Sequence, residues 1–354
     1  MFDTLNAKLS SGGRLTDDEF RALEAQADLH RLGMLADSVR RMKHPERVVT
    51  YVVDRNINYT NICVSACKFC AFYTLPETGE GFLIGRDELK QKIDETLALG
   101  GTQILLQGGL HPDLTMDYYE DLVAFITSCG IAVHGFSPPE IHHFSEVSRC
   151  STEEVLIRLR RAGLDSMPGG GAEILSDRVR GLVAPKKCSA DEWLAVMEQA
   201  HKMGMRTTAT MMFGHIETVE ERLEHLRRLR ELQDRTGGFT AFIPWPFQQD
   251  NTALSNEQTS FRTSGWEYLR MLALSRIYLD NFDNIQASWV TQGPKIAQLS
   301  LFFGANDFGS TMIEENVVAA AGVSFRLSGK EIETLVSDAG FTPQQRLMDY
   351  RPVQ

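Results

Sequence analysis

Apolar positions along the chain follow two alternating rhythms. Short, nearly continuous apolar runs occupy residues 48–53, 103–106, 131–136, 164–167, 206–213, 239–244 and 285–290, with a weaker one near Asn306. Between them the apolar residues recur at helical spacing, and several of these stretches open on a capping pair: Ser151 with Glu154, Ser189 with Glu192, Thr218 with Glu221. Apolar strands separated by amphipathic helices predict a parallel sheet in an α/β fold of roughly seven or eight β/α units, closed into a complete or a partial TIM-like barrel. Upstream, Phe20, Leu23, Ala27, Leu32, Leu35 and Val39 keep helical spacing behind a Thr16/Glu19 capping box, so residues 1–47 read as a helical lead-in. The barrel core spans 48–322. A last helix opened by Ser328 and Glu331 lies in a C-terminal segment, 323–354.

Each run breaks into a polar or Gly/Pro-rich turn. The turns are Asn58-Tyr59-Thr60-Asn61, Gln107-Gly108-Gly109, Ser137-Pro138-Pro139-Glu140, Pro168-Gly169-Gly170-Gly171-Ala172-Glu173, Gly214-His215, Trp245-Pro246-Phe247-Gln248 and Thr291-Gln292-Gly293. In a parallel barrel these strand ends gather at one mouth, where ligands bind.

Composition narrows the reading. A chain of 354 residues with 43% hydrophobic and 23% charged residues can fill a sizeable core. Its net charge of -11, with no basic run, disfavours binding to nucleic acid, which needs a concentrated cationic face. The longest apolar runs, such as 122–126, fall far short of a bilayer span. The expectation is a cytoplasmic protein with no nucleic-acid partner and no membrane insertion.

Chemistry enters with the cysteines. Cys63, Cys67 and Cys70 crowd onto the turn after the first strand, whereas Cys129, Cys150 and Cys188 are scattered. Three thiolates on one loop can hold three irons of a 4Fe-4S cluster and leave the fourth iron open to a small molecule. A structural zinc site would need a fourth ligand nearby, and none follows. A redox Cys-x-x-Cys pair would leave Cys63 unused. A plain electron carrier explains neither the count of three nor the polar mouth.

The Cys-x3-Cys-x2-Cys motif, with Phe69 before its last cysteine, resembles the radical S-adenosylmethionine (SAM) superfamily. Residues 101–112, 137–141, 163–179, 206–215, 239–248, 286–294 and 303–318 resemble, within it, the cyclic dehypoxanthine futalosine synthase family of menaquinone biosynthesis. The neighbouring aminofutalosine synthases and deazaflavin-forming enzymes share motif and barrel and are the alternative. The resemblance implies a reductive split of SAM, driven by a donor such as flavodoxin or ferredoxin. The resulting 5'-deoxyadenosyl radical takes hydrogen from the ribose of dehypoxanthine futalosine, and the ribose radical closes onto the benzoate ring.

Roles for the mouth residues follow from that resemblance. Phe69, Gln107, Gly108, Gly109 and Ser137 would contact SAM, with Glu140 supplying the acid that the family commonly carries where this chain has Leu110. Gly169 and Gly170 would let the substrate approach the backbone. Gln286, Ser288 and Thr291, with Asn306, Asp307 and Ser310, would form its polar lining. Glu173 and His215 are the candidate proton acceptors. Arg178, Arg180 and Lys295 are cations that could meet the benzoate, and Trp245, Phe247 and Trp289 could wall its ring.

Overall fold

A computed structural model describes residues 2–257 and 262–353. Strands are Val48–Val52 (β1), Asp54–Asn58 (β2), Gln103–Gln107 (β3), Ala132–Gly135 (β4), Leu164–Met167 (β5), Arg206–Phe213 (β6), Phe239–Pro246 (β7), Asn284–Ile285 (β8), Asp307–Ser310 (β9) and Thr342–Gln345 (β10). Seven of them form one parallel sheet in sequence order, β2 to β8, with helices between successive strands. This is the α/β barrel architecture that the alternating rhythm predicts. Among the described residues no helix is long and apolar enough to cross a membrane.

Period-two alternation sets the two faces of the sheet. On β3, Ile104 and Leu106 are fully buried under the helical layer, while Gln103, Leu105 and Gln107 line a cavity inside the barrel. On β6, Ala209 and Met211 belong to the apolar core, and Thr208 and Thr210 line the cavity. Each large side chain buried on the outer face contributes about 1.5–3 kcal/mol.

Helix starts follow their caps. Complete capping boxes form at Thr16/Glu19, Ser189/Glu192, Thr218/Glu221 and Ser328/Glu331. Ser151 accepts from the Glu154 N–H without the reciprocal bond. The lead-in is three helices rather than one stretch: Phe2–Ser10, Asp17–Gln26 and Leu29–Lys43. The break falls at Ala27, whose backbone is extended, and Asp28 recaps the chain by accepting from the N–H groups of His30 and Arg31.

Two strand expectations need correction. The run 48–53 is β1, which lies outside the seven-stranded sheet and pairs with β9 and β10 in a separate parallel sheet. The first barrel strand is β2, whose Asp54, Arg55, Asn56 and Asn58 are buried despite their polarity. Asp54 and Asn56 face the cavity, so a search for apolar runs passes over them. Of the run 285–290 only Ile285 is in a strand, the two-residue β8, and Trp289–Gln292 is a helix.

Segment 306–314 bridges the sheet edges. Asn306 N–H donates to Ile285 O and Ala287 N–H to Asp307 O on one side. On the other, Thr311 N–H donates to Val52 O, Ile313 N–H to Asp54 O and Asn56 N–H to Glu314 O. A ring of backbone bonds therefore runs from β8 through this segment to β2. Asn306 braces the ring with its side chain: Oδ1 accepts from Arg276 Nη2 at 2.5 Å and from Ile285 N–H at 3.0 Å, and Nδ2 donates to Asn284 Oδ1. Asp307 takes two bonds from Arg346, the residue after β10, and one from the Thr50 hydroxyl.

Replacing Asn306 by Ala strands a buried guanidinium donor and a buried backbone N–H. Unfolding free energy in denaturant should fall by about 2–3 kcal/mol; a loss below about 0.5 kcal/mol would show that the brace is not needed.

Candidate active site

Between β2 and the helix Arg86–Ala98, the chain makes a loop clamped at its base by bridges pairing Thr60 with Leu83 and Ile62 with Thr74. Cys63 N–H donates to Thr74 O, Val64 N–H to Leu110 O, Lys68 N–H to Val183 O, and Leu254 N–H to Lys68 O. Three separate parts of the fold, and the loop's own returning limb at Thr74, thus hold the cysteine segment. A left-handed Ala66 (φ 47°) turns the chain, and Cys70 N–H closes onto Cys67 O. Gly109 has to be glycine here, since a Cβ would sit 2.2 Å from Ile62 O.

The three thiols are free; burial pushes Cys67 up to about 11 and raises Cys70, and Cys63 lies close enough to both to add a smaller upward push. Yet among the described residues no three His, Cys, Asp or Glu side chains converge as ligands of a single ion do. A mononuclear thiolate site draws its sulfurs to within about 4 Å of each other. Three thiols carried on one loop are the donor set that three irons of a 4Fe-4S cluster require.

Two cavities bear on the site, and the cysteine loop lines the smaller of them. The larger, about 280 Å³, runs through the barrel interior, lined by Gln107, Gly170, Gln286, Ser288 and Thr291 among the expected residues, with Trp245 and Trp289 in its wall. The smaller, about 50 Å³, is lined by Phe69, Cys70, Met212 and Phe247. Trp245, Val317 and Val318 line both, so the cysteine loop and the interior cavity share a wall.

The remaining expected residues are engaged elsewhere. Glu140 is buried, and its two oxygens accept four bonds: from the Tyr59 hydroxyl, Gly108 N–H, Ser137 N–H and the Ser137 hydroxyl. It locks the Gly108 turn to Ser137 and, as placed, does not aim at a ligand's ammonium. Gly169 makes room for β6, since a Cβ would meet backbone atoms of Thr208 and Ala209 at 2.7 Å, so packing alone accounts for it.

Glu173, with φ of 43°, is buried against Lys187 at 2.7 Å, and Lys187 also sits 5.1 Å over the Phe69 ring. Burial pushes the Glu173 carboxyl up, but Lys187 and Arg180 outweigh it and hold the group below its ordinary range. His215 donates from Nε2 to Met212 O, its Nδ1 lies 3.3 Å from Glu217, and its side chain is wholly buried. Neither residue lines the interior cavity. Asn306 and Asp307 are the braces described above, while Ser310 lines the cavity and donates to Asp54.

Nor do the expected cations reach inward. Arg178 pairs with Glu221, Arg180 donates to the carbonyls of Gly171, Ala172 and Cys188, and Lys295 is exposed. Arg346 lines the cavity instead, committed to Asp307. Attention to strand ends also misses Asn56, His134, Thr208, Thr210 and Glu315, all in the cavity lining. For the strand residues among them the available signal was polar side chains at alternate positions within β2, β4 and β6.

Comparison with known proteins gives the family. Residues 57–229 match the model of the radical SAM superfamily, and residues 236–354 match the CofH/MqnC C-terminal region. The chain is 46% identical to cyclic dehypoxanthine futalosine synthase of Streptomyces coelicolor, over 97% of this chain and 86% of the relative. It is 44% identical to the protein of the same name from Halalkalibacterium halodurans, over 99% and 95%. A 5-amino-6-(D-ribitylamino)uracil--L-tyrosine 4-hydroxyphenyl transferase of Methanosarcina barkeri is 42% identical over 90% of this chain and 86% of its own. Among solved structures, methylornithine synthase superposes with a TM-score of 0.75 at 19% identity, covering 96% of this chain and 97% of its own, a likeness of fold. By these matches the chain belongs to the radical SAM superfamily, in the branch that carries a CofH/MqnC C-terminal region.

Proposed function

We propose that this chain is a radical SAM cyclase that converts dehypoxanthine futalosine to cyclic dehypoxanthine futalosine in menaquinone biosynthesis. The observation that carries the reading is 46% identity across 97% of the chain to a protein of that activity's name, with 44% across 99% to a second.

In this reading Cys63, Cys67 and Cys70 hold a 4Fe-4S cluster, reduced by a donor of the flavodoxin or ferredoxin type. Cluster and SAM together supply a carbon-centred radical able to take hydrogen from a ribose carbon. The protein's own part is to orient and to exclude water. Carbonyls of the Gln107-Gly108-Gly109 turn would receive the SAM ammonium, and Glu140 would act on it indirectly by fixing the Gly108 N–H. The interior cavity takes the substrate: Trp245 and Trp289 flank an aromatic ring, while Gln107, Gln286, Ser288 and Thr291 offer hydrogen bonds to ribose hydroxyls. Ser288 and Thr291 already share a bond of 2.7 Å, so both hydroxyls are oriented before a ligand arrives.

Anaerobic incubation of reconstituted protein with dehypoxanthine futalosine, SAM and a reductant tests the reading. Mass spectrometry should find a product lighter than the substrate by two hydrogens. A heavier coupled adduct, formed only when a second molecule is supplied, would assign the chain to the transferase or aminofutalosine synthase type.

Alanine at Cys63, Cys67 or Cys70 should abolish the cluster's absorbance and SAM cleavage, whereas Ala at Cys129, Cys150 or Cys188 should preserve both. Glu140→Gln removes one acceptor from a four-donor knot, so SAM affinity by titration should weaken about tenfold, accompanied by a lower melting temperature. Weaker SAM binding with unchanged melting would instead mean that Glu140 contacts the cofactor.

A further inference from the structure

The proposed cyclisation leaves the arene carbon with a proton to lose, and neither Glu173 nor His215 lines the cavity where the ring would lie. The titratable side chains that do line it are Asp54, His134, Glu315, Arg346 and Tyr350. Asp54 accepts from Ser310 on one oxygen and from Gln103 on the other. Glu315 spends its oxygens on the N–H groups of Val317, Val318 and Ala319. Arg346 is a bound cation, and Tyr350 is a phenol whose pKa burial raises further.

His134 differs from all of these. It is the inward position of β4, between Leu105 on β3 and Ser166 on β5. Its Nδ1 lies 2.7 Å from the Ser166 hydroxyl, and among the described residues no protein group bonds its Nε2. The ring lines the cavity, and Nε2 is not among the buried polar atoms left without a partner, so it opens onto the cavity itself.

We infer that His134 is the cavity's proton acceptor: resting on the cyclisation proposed above, its Nε2 takes the proton from the arene carbon after ring closure, with Ser166 holding the ring through Nδ1. The step balances as follows. A ribose C–H gives its hydrogen atom to the SAM-derived carbon, and the ribose carbon forms a bond to the ring. One electron then leaves the ring for a one-electron acceptor of the iron–sulfur class. The remaining cyclohexadienyl cation returns its C–H electron pair to the ring as the proton moves to Nε2. Charge is conserved, since the cation becomes a histidinium, and Ser166 Oγ accepts from Nδ1–H both before and after.

Burial, and then Arg346, push His134 down to about 3, so the imidazole is neutral and its lone pair available at ordinary pH. A base that weak would fail against an ordinary C–H. It suffices against a cation that regains aromaticity on losing its proton, for which a positioned acceptor within hydrogen-bond reach is enough.

The test uses full-length reconstituted enzyme with substrate deuterated either at the ribose 4' carbon or on the arene ring. In His134→Gln, 5'-deoxyadenosine formation and deuterium transfer into it should stay within about threefold, while cyclic product slows about 10²-fold. An arene-deuterium isotope effect, near unity in the wild type, should appear in the variant because proton loss becomes slow. Ser166→Ala should show a smaller version of the same uncoupling, and it serves as the test if His134→Gln fails to fold. Cyclisation at the wild-type rate in both variants overturns the inference alone. Parallel loss of deoxyadenosine and cyclic product, without the isotope effect, also overturns it and leaves His134 a ligand-positioning residue. Wild-type enzyme that yields a coupled adduct and no cyclic product overturns the function and this inference together.

Discussion

The buried pair of Asp307 and Arg346 is the interaction on which the rest of the molecule leans. Arg346 donates to both carboxylate oxygens, at 2.5 and 3.1 Å, and the same carboxylate receives the Thr50 hydroxyl. Three segments distant in sequence, β1, β9 and the residue after β10, therefore meet at one charge pair. Removing either partner would leave an uncompensated buried ion, a loss of about 3–5 kcal/mol. Because β9 continues into the segment that bonds β2, the pair also fixes the ring of strands and hence the walls of the cavity.

A barrel with a polar interior is under a second constraint: every inward polar group has to find a partner within the protein or in a ligand. Here the two solutions are spatially separated. Around the cysteine loop the partners are protein groups: Glu140 with its four donors, Glu173 with Lys187, Glu217 with Arg222. In the cavity some donors and acceptors are held only from one side, as with His134 on Ser166, or share bonds with each other, as with Ser288 and Thr291. These carboxylates beside the loop are thus already paired, whereas His134, Ser288 and Thr291 in the cavity keep hydrogen-bonding capacity to offer a ligand.

Much of this was legible in the sequence, for identifiable reasons. Capping boxes at Thr16, Ser189, Thr218 and Ser328 act over four residues, so local pattern finds them. The cysteine spacing is equally local. Strands β3 to β7 show because their outer faces are apolar. By contrast, β2 hides because both its faces carry buried polar groups, and β8 because it is two residues long. Asn306 and Asp307 looked like ligand contacts because polar residues at a strand end usually are, yet their partners, Arg276 and Arg346, come from 30 and 39 residues away. His134 was passed over for the converse reason: within a strand, a lone histidine gives no sign of which way it points until the register is known.

The bonds that hold the cysteine segment run to Thr74, Leu110, Val183 and Leu254, all of them protein groups. The contacts that order this loop are thus made within the chain itself, unlike in small metal-dependent domains where ion binding drives the folding. On the proposal that these cysteines hold a cluster, the backbone anchors would not depend on it, so losing the cluster to oxygen would remove reactivity before it removed architecture.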